Sequence, residues 1–203
     1  MFVQPFPPHA YSPIPTKELK LMKFTTTYRA NIIAKSFATY IHPNDNVIDI
    51  GCGTGIVGLA LSQALKCQVT GTDILDYLRV PMPIKIMSAP HIVPFPSHSF
   101  DVAMLNEVLH HMDFENQKTV IREALRVADR VVVFEMRHTY FSRVMDILFN
   151  KNNNRNVATP FTFRSFDQWR ELFGELGRCV DAQRVHKPFP GFPFDHFAFL
   201  IVK

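Results

Sequence analysis

The segment Val47-Ile48-Asp49-Ile50-Gly51-Cys52-Gly53-Thr54-Gly55-Ile56 constrains this chain more than any other. A β-branched apolar run breaks into three alternating glycines and reopens as helical periodicity from Ile56 to Lys66. Strand, backbone-exposing turn and helix N-terminus together form a ligand cradle. Glycines are required because only a residue without Cβ adopts positive φ readily and lets backbone N–H groups approach a bound molecule. Asp49 stands at the strand end, beside that cradle.

Two ligand classes use such a turn. Gly53-Thr54-Gly55-Ile56-Val57-Gly58 matches the G-x-G-x-x-G pattern of dinucleotide sites, and Asp73 follows at the spacing expected of a ribose-binding acid. In that fingerprint, however, the first glycine ends the strand. Counting from Gly51, the third required glycine falls on Ile56. A carboxylate at position 49 also repels a pyrophosphate on the helix N-terminus, whereas it suits a ligand bearing an ammonium and a sulfonium. The balance favours S-adenosylmethionine over NAD.

The glycine motif Asp49-Ile50-Gly51-Cys52-Gly53-Thr54-Gly55 resembles that of the class I S-adenosylmethionine-dependent methyltransferases, in particular methyltransferase type 11. Val69-Thr70-Gly71-Thr72-Asp73-Ile74 is similar to the family's second strand, Pro94 to Val102 to its approach to strand four, and Leu105-Asn106-Glu107-Val108-Leu109-His110-His111 to the segment after it. The resemblance covers residues 27 to 135 best. It implies an α/β fold, a Rossmann-like doubly wound sheet of seven strands, mostly parallel with an antiparallel last strand and helices on both faces. It also implies S-adenosylmethionine as cofactor, held by Asp49, Gly51, Cys52, Gly53, Gly55, Asp73, Ile74, Ser88, Ala89 and Asn106. Asp73 corresponds to the acid that accepts both ribose hydroxyls. Ser88-Ala89 departs from the family, which usually places an acid before a small residue to read the adenine amino group; a serine hydroxyl accepts that bond more weakly. Tyr28 and Arg29 are positioned to fold over the methionine end, Arg29 answering its carboxylate, with surface capping the plainer alternative.

Periodicity predicts helices over Tyr28–Ile41, from Ile56, over Asn116–Val127 and over Ser165–Leu176. Strands are expected at Asn46–Ile50, Gln68–Asp73, Ile84–Met87, Asp101–Leu105, Arg130–Glu135, Val180–His186 and His196–Val202. Residues 1–24 form an expected arm, with five prolines among the first sixteen positions precluding a regular helix. Residues 25–203 are expected to form one domain, since 203 residues at 47% apolar content suffice for one core.

Composition narrows the partners. A net charge of +4 is modest, and the Arg122, Arg126, Arg130 spacing is interleaved with Glu123 and Asp129, so it reads as a solvated face rather than a nucleic-acid stripe. Three scattered cysteines without a C-x-x-C pair support neither disulfides nor zinc, and no metal is expected. Cys52 reads as a small filler of a crowded turn rather than a nucleophile. No run of eighteen apolar residues and no leader pattern is present, so the cytoplasm is the expected compartment.

The acceptor side is expected near the carboxyl ends of the strands. Tyr140 to Phe149 is apolar over most of a helix and suits a cap over an acceptor, a membrane-touching helix or a helix packed on its own domain. Pro188 to Phe194, with Phe161, Phe163 and Phe166, is positioned to line the same mouth; nineteen phenylalanines exceed what one core needs. If the acceptor is a hydroxyl or acid, His110 or His111 is the candidate base, since histidine titrates near neutrality and the resembled family faces this position toward the methyl. His186 and His196 are weaker candidates. The expected function is methyl transfer to a small apolar or aromatic acceptor through an O- or N-nucleophile. A lipid or quinone methylase at a membrane surface, a noncatalytic cofactor-binding or interaction module, and a dinucleotide reductase stay open as alternatives.

Overall fold

A computed structural model describes residues 28–137, 139, 162–186 and 195–203. The 1–24 arm, the 140–149 cap and the 188–194 aromatic cluster lie outside these residues. Helix α1 covers 28–37, followed by β1 (Asn46–Ile50), α2 (Ile56–Leu65), β2 (Gln68–Asp73), β3 (Ile84–Ile86) and β4 (Phe100–Asn106). A 3₁₀ turn (Leu109–His111) leads to α3 (Phe114–Val127), β5 (Ala128–Met136), α4 (Phe166–Leu176), β6 (Arg178–Val185) and β7 (His196–Val202). The seven strands form one sheet in the order β3-β2-β1-β4-β5-β7-β6. β1 to β5 are parallel, and β7 runs antiparallel between β5 and β6. The expected seven-stranded doubly wound α/β sheet is therefore the fold.

The apolar runs of β1, β4 and β5 are near-continuous because both faces are covered, as parallel sheets require. Alternate residues serve opposite faces. Val47, Val102, Met104, Val132 and Phe134 pack with Ile33 and Phe37 of α1 and Leu61 of α2. Ile48, Ala103, Leu105, Val131 and Val133 pack with Val120, Ile121 and Ala124 of α3 and Trp169 and Phe173 of α4. No helix among the described residues is long and apolar enough to cross a membrane.

Several boundaries differ from expectation for local reasons. α1 stops at 37 rather than Ile41, where Tyr40 and Ile41 both donate to the Phe37 carbonyl and Pro43 lies ahead. α3 starts two residues early because the Asp113 side chain accepts from Asn116 N. Ser165 stands outside α4 as its N-cap, in a capping box with Gln168. β5 leaves α3 without a loop, beginning at Ala128 rather than Arg130, so Arg130 lies on a strand and not in a helical stripe; it holds Asp45 at 2.9 Å. β4 gains a residue at each end, β3 stops at Ile86, and β6 spans Arg178–Val185 with an irregularity between Cys179 and Asp181. Between β2 and β3 there is no helix; that connection folds back over the glycine turn instead, with Arg79 N donating to Thr54 O.

Parallel strands bring the carboxyl ends of β1, β2, β4 and β5 to one edge. β7, running the other way, starts at that edge: Met136 pairs with His196. β6 ends there, with Arg184 opposite Phe197.

Candidate functional site

The turn after β1 has the conformation that its glycines permit. Gly51, Gly53 and Gly55 have φ of 76°, 53° and 74°. A Cβ at Gly51 would lie 2.4 Å from Val108 Cγ2, and one at Gly55 would lie 2.6 Å from Leu78 Cδ2. Gly51 N and Cys52 N both donate to Thr72 O, tying the turn to β2. Asp73, at the end of β2, accepts from Gly53 N and from Ile74 N, each at 2.8 Å. The expected ribose acid is thus fixed against the cradle, and carboxylate oxygens accept more than one hydrogen bond.

Asp49, one residue before the end of β1, is 2% exposed. Burial and the neighbouring Asp73 push its carboxyl up to about 7, with Arg29 partly offsetting them. Two carboxylates beside a glycine cradle make a setting that a cationic ligand relieves. Cys52 is buried, and burial together with Asp49 and Asp73 drives its thiol far above the usual range. Its Sγ fills the space a side chain at Gly71 would need, so Cys52 is packing, not a nucleophile.

Asn106 ends β4. Its side chain lies against the Asp49 carboxyl, whose pKa it helps to lower, yet among the described residues its Oδ1 and Nδ2, like Nε of Arg29, are buried and make no well-formed hydrogen bond. Buried amides in that condition are unfavourable unless a ligand completes them. Arg29, expected to answer a methionine carboxylate, is instead paired with Glu107. Burial alone raises Glu107, but Arg29 and a 2.7 Å hydrogen bond from His196 Nε2 outweigh it and hold the carboxyl well below the usual range. Glu107 takes this position with φ of 49°, in the left-handed region, while its N–H donates to Phe134 O. His196 is buried and stacks on Phe134 at 4.7 Å.

His110 and Glu135 form a second buried pair, His110 Nδ1 to Glu135 Oε2 at 2.7 Å, each side chain 1% exposed. Glu135 Oε1 accepts from Val108 N and Leu109 N. Its carboxylate thereby holds the 3₁₀ turn and accepts a hydrogen bond from Nδ1–H of the neutral ring, the tautomer in which Nε2 carries the lone pair. His110 stacks face to face on Phe163 at 5.1 Å and lies against His111 at 4.1 Å. Gln117 ties the same turn to Thr162.

Of the expected residues, Asp49, Gly51, Cys52, Gly53, Gly55, Asp73 and Ile74 converge on the β1 and β2 ends. Ala89 is half-buried and Ser88 exposed just past β3, where Met87 N bonds Asp73 O. Tyr28 opens α1, half-buried. His186 is exposed, 3.9 Å from Asp195. Glu135 was not anticipated; its signal was a charged residue closing an apolar run whose other members are buried.

Residues 48–131 match a family model described as a methyltransferase domain. (+)-O-methylkolavelool synthase of Herpetosiphon aurantiacus is 29% identical over 101 residues, covering 44% of this chain and 35% of that protein. Carboxy-S-adenosyl-L-methionine synthase of Yersinia pestis is 20% identical over 165 residues, 73% of this chain and 61% of that protein. The chain therefore spans 35% to 61% of the length of these two curated relatives. Magnesium protoporphyrin IX methyltransferase of Synechocystis PCC 6803, solved with bound SAH, superposes with a TM-score of 0.61 at 17% identity, over 96% of this chain and 90% of that one.

Proposed function

We propose that this chain, which carries a class I methyltransferase domain, is an S-adenosylmethionine-dependent methyltransferase acting on a small apolar or aromatic acceptor. The observation that carries the proposal is the positive-φ glycine turn flanked by the carboxylates of Asp49 and Asp73. The residues present fit the cofactor: the cradle has no room for a Cβ at Gly51, and the buried Asn106 amide, beside Asp49, makes no well-formed hydrogen bond among the described residues.

When bound, S-adenosylmethionine supplies an electrophilic methyl group on a sulfonium. Asp73 accepts the ribose hydroxyls while keeping the turn closed through Gly53 N. Asp49 places negative charge under the cationic end, and Asn106 satisfies its amide against the amino-acid part. Arg29, paired with Glu107, fixes the floor between the two ends of the site. Glu135 orients the His110 ring and stabilises the imidazolium that forms when Nε2 takes a proton from an O- or N-nucleophile. His111 packs against that ring and contributes to its placement. The chain's principal task is alignment of acceptor and methyl at about 3–3.5 Å in a water-poor site.

Calorimetric titration with S-adenosylmethionine, S-adenosylhomocysteine and NADH, with Asp73→Ala alongside, tests this assignment. Binding of the first two that is lost in the variant supports it. NADH binding alone would turn the assignment to a reductase, and cofactor binding without turnover across an acceptor screen would leave an interaction module.

A further inference from the structure

At the edge where β5 and β6 end and β7 begins, a cavity of about 430 Å³ is lined by Phe163, Phe166 and Phe197 together with Arg137, Arg164 and Arg184. Phe163 is also the ring stacked on His110, so one wall of this cavity is the ring that covers the candidate base. The cavity is large enough for a small two-ring molecule.

The three guanidinium groups are not equivalent. Arg137 is paired with Asp195 at 3.0 Å. Arg164 gives its Nε to Gln117 and lies 4.5 Å over the Phe114 ring, and burial holds its charge at a cost, pulling its pKa below the usual value. Arg184 lies 4.2 Å over Phe166 and 5.9 Å from Phe197. Among the described residues neither Arg164 nor Arg184 has a carboxylate within ion-pair distance. Asp167 lines the same cavity in the first turn of α4, where the helix dipole already favours it. Three arginines against one aspartate leave the lining positive. Stacking on a phenylalanine face occupies the flat of a guanidinium and leaves its in-plane fork of donors for a planar or tetrahedral anion.

We propose that the acceptor carries a carboxylate or phosphate group, bound by Arg164 and Arg184, while its apolar body lies on Phe163, Phe166 and Phe197. This rests on the methyltransferase assignment and specifies the acceptor of that same site. The acceptor is then amphipathic, with the reacting nucleophile on the His110 side and the anion on the β6 side. A neutral apolar molecule fills the aromatic wall but leaves Arg164 and Arg184 without a carboxylate or phosphate among the described residues.

The test uses the full chain and three probes of one shape: 2-naphthoate, 2-naphthyl phosphate and neutral 2-naphthamide, titrated with and without S-adenosylhomocysteine. Both anions are expected to bind about tenfold or more tightly than the amide, with the preference weakened by salt. Arg184→Gln, on an exposed position of β6, should erase that preference by lowering the affinity for both anions far more than that for the amide; Arg184→Lys should retain part of it. Equal affinity for the three probes, or a preference untouched by Arg184→Gln and Arg164→Gln, overturns the proposal. The carboxylate and phosphate arms report which anion is preferred. Failure of S-adenosylhomocysteine to bind would overturn the methyltransferase assignment instead, while the anion–amide comparison still decides this site.

Discussion

The two ends of the site are built by different means. At the β1 and β2 ends, the chain places three glycines and an acid within seven consecutive positions, and the resulting turn is held mainly by its own backbone and by Asp73. At the β4, β5 and β7 ends, nothing is local: Arg29 meets Glu107, Glu107 meets His196, and His110 meets Glu135, across separations that only the sheet order can close. The first end depends on conformation and tolerates little change of residue type. The second depends on register, because one-residue slippage between β5 and β7 would move His196 away from Glu107.

That contrast sets the expected size of each perturbation. Gly51→Ala should be the most damaging: a left-handed Cβ costs about 1–2 kcal/mol and overpacking against Val108 about 1–3 more. Denaturant unfolding should register the loss, and S-adenosylhomocysteine titration should show no binding; a variant that folds and binds normally would remove the basis of the contrast. Glu135→Gln should lower turnover by about 10²-fold with cofactor affinity unchanged, since it disturbs the proposed base and not the cradle. A parallel fall in cofactor affinity would show the two ends to be one unit.

Protonation gives a finer probe of the cofactor end. Asp49 is pushed up to about 7, and a cationic ligand favours its ionised form. Affinity for S-adenosylmethionine should therefore rise by about tenfold between pH 6 and pH 8, and Asp49→Asn should flatten the profile. Without ligand the sign for stability is opposite: a carboxyl raised on folding contributes stability below its unfolded value of about 4, which is lost as pH rises toward 7. Smallest of all, Asp113→Ala removes the cap of α3 and should cost about 1 kcal/mol in unfolding with no change in cofactor binding.

The same division decides what was legible in the sequence. The glycine turn, Asp49 and Asp73 are read directly because their chemistry depends on neighbours in the chain. The seven-stranded, mostly parallel sheet and its antiparallel last strand followed from resemblance and alternation, whereas the full strand order came from the structure. Arg29 was assigned to a ligand carboxylate because nothing along the chain shows that Glu107 would stand opposite it. Glu135 was read as a strand end, since its partner His110 lies 25 positions earlier and is brought near only by pairing of β4 with β5. Caps moved both helix starts: Asp113 caps α3 two residues ahead of the expected start, and Ser165 stands outside α4 as its cap rather than in its first turn.

The position of β7 also orders events in time. During synthesis β5 and β6 emerge before the strand that separates them in the sheet. Until Val202 is made, β5 presents an unpaired apolar edge, open to pairing with β6 in the wrong place or with another nascent chain. The glycine cradle has all its parts long before that, whereas Glu107 waits for His196. Molecules interrupted in translation would carry the cofactor end of the site without the acceptor end, and with their stickiest surface uncovered.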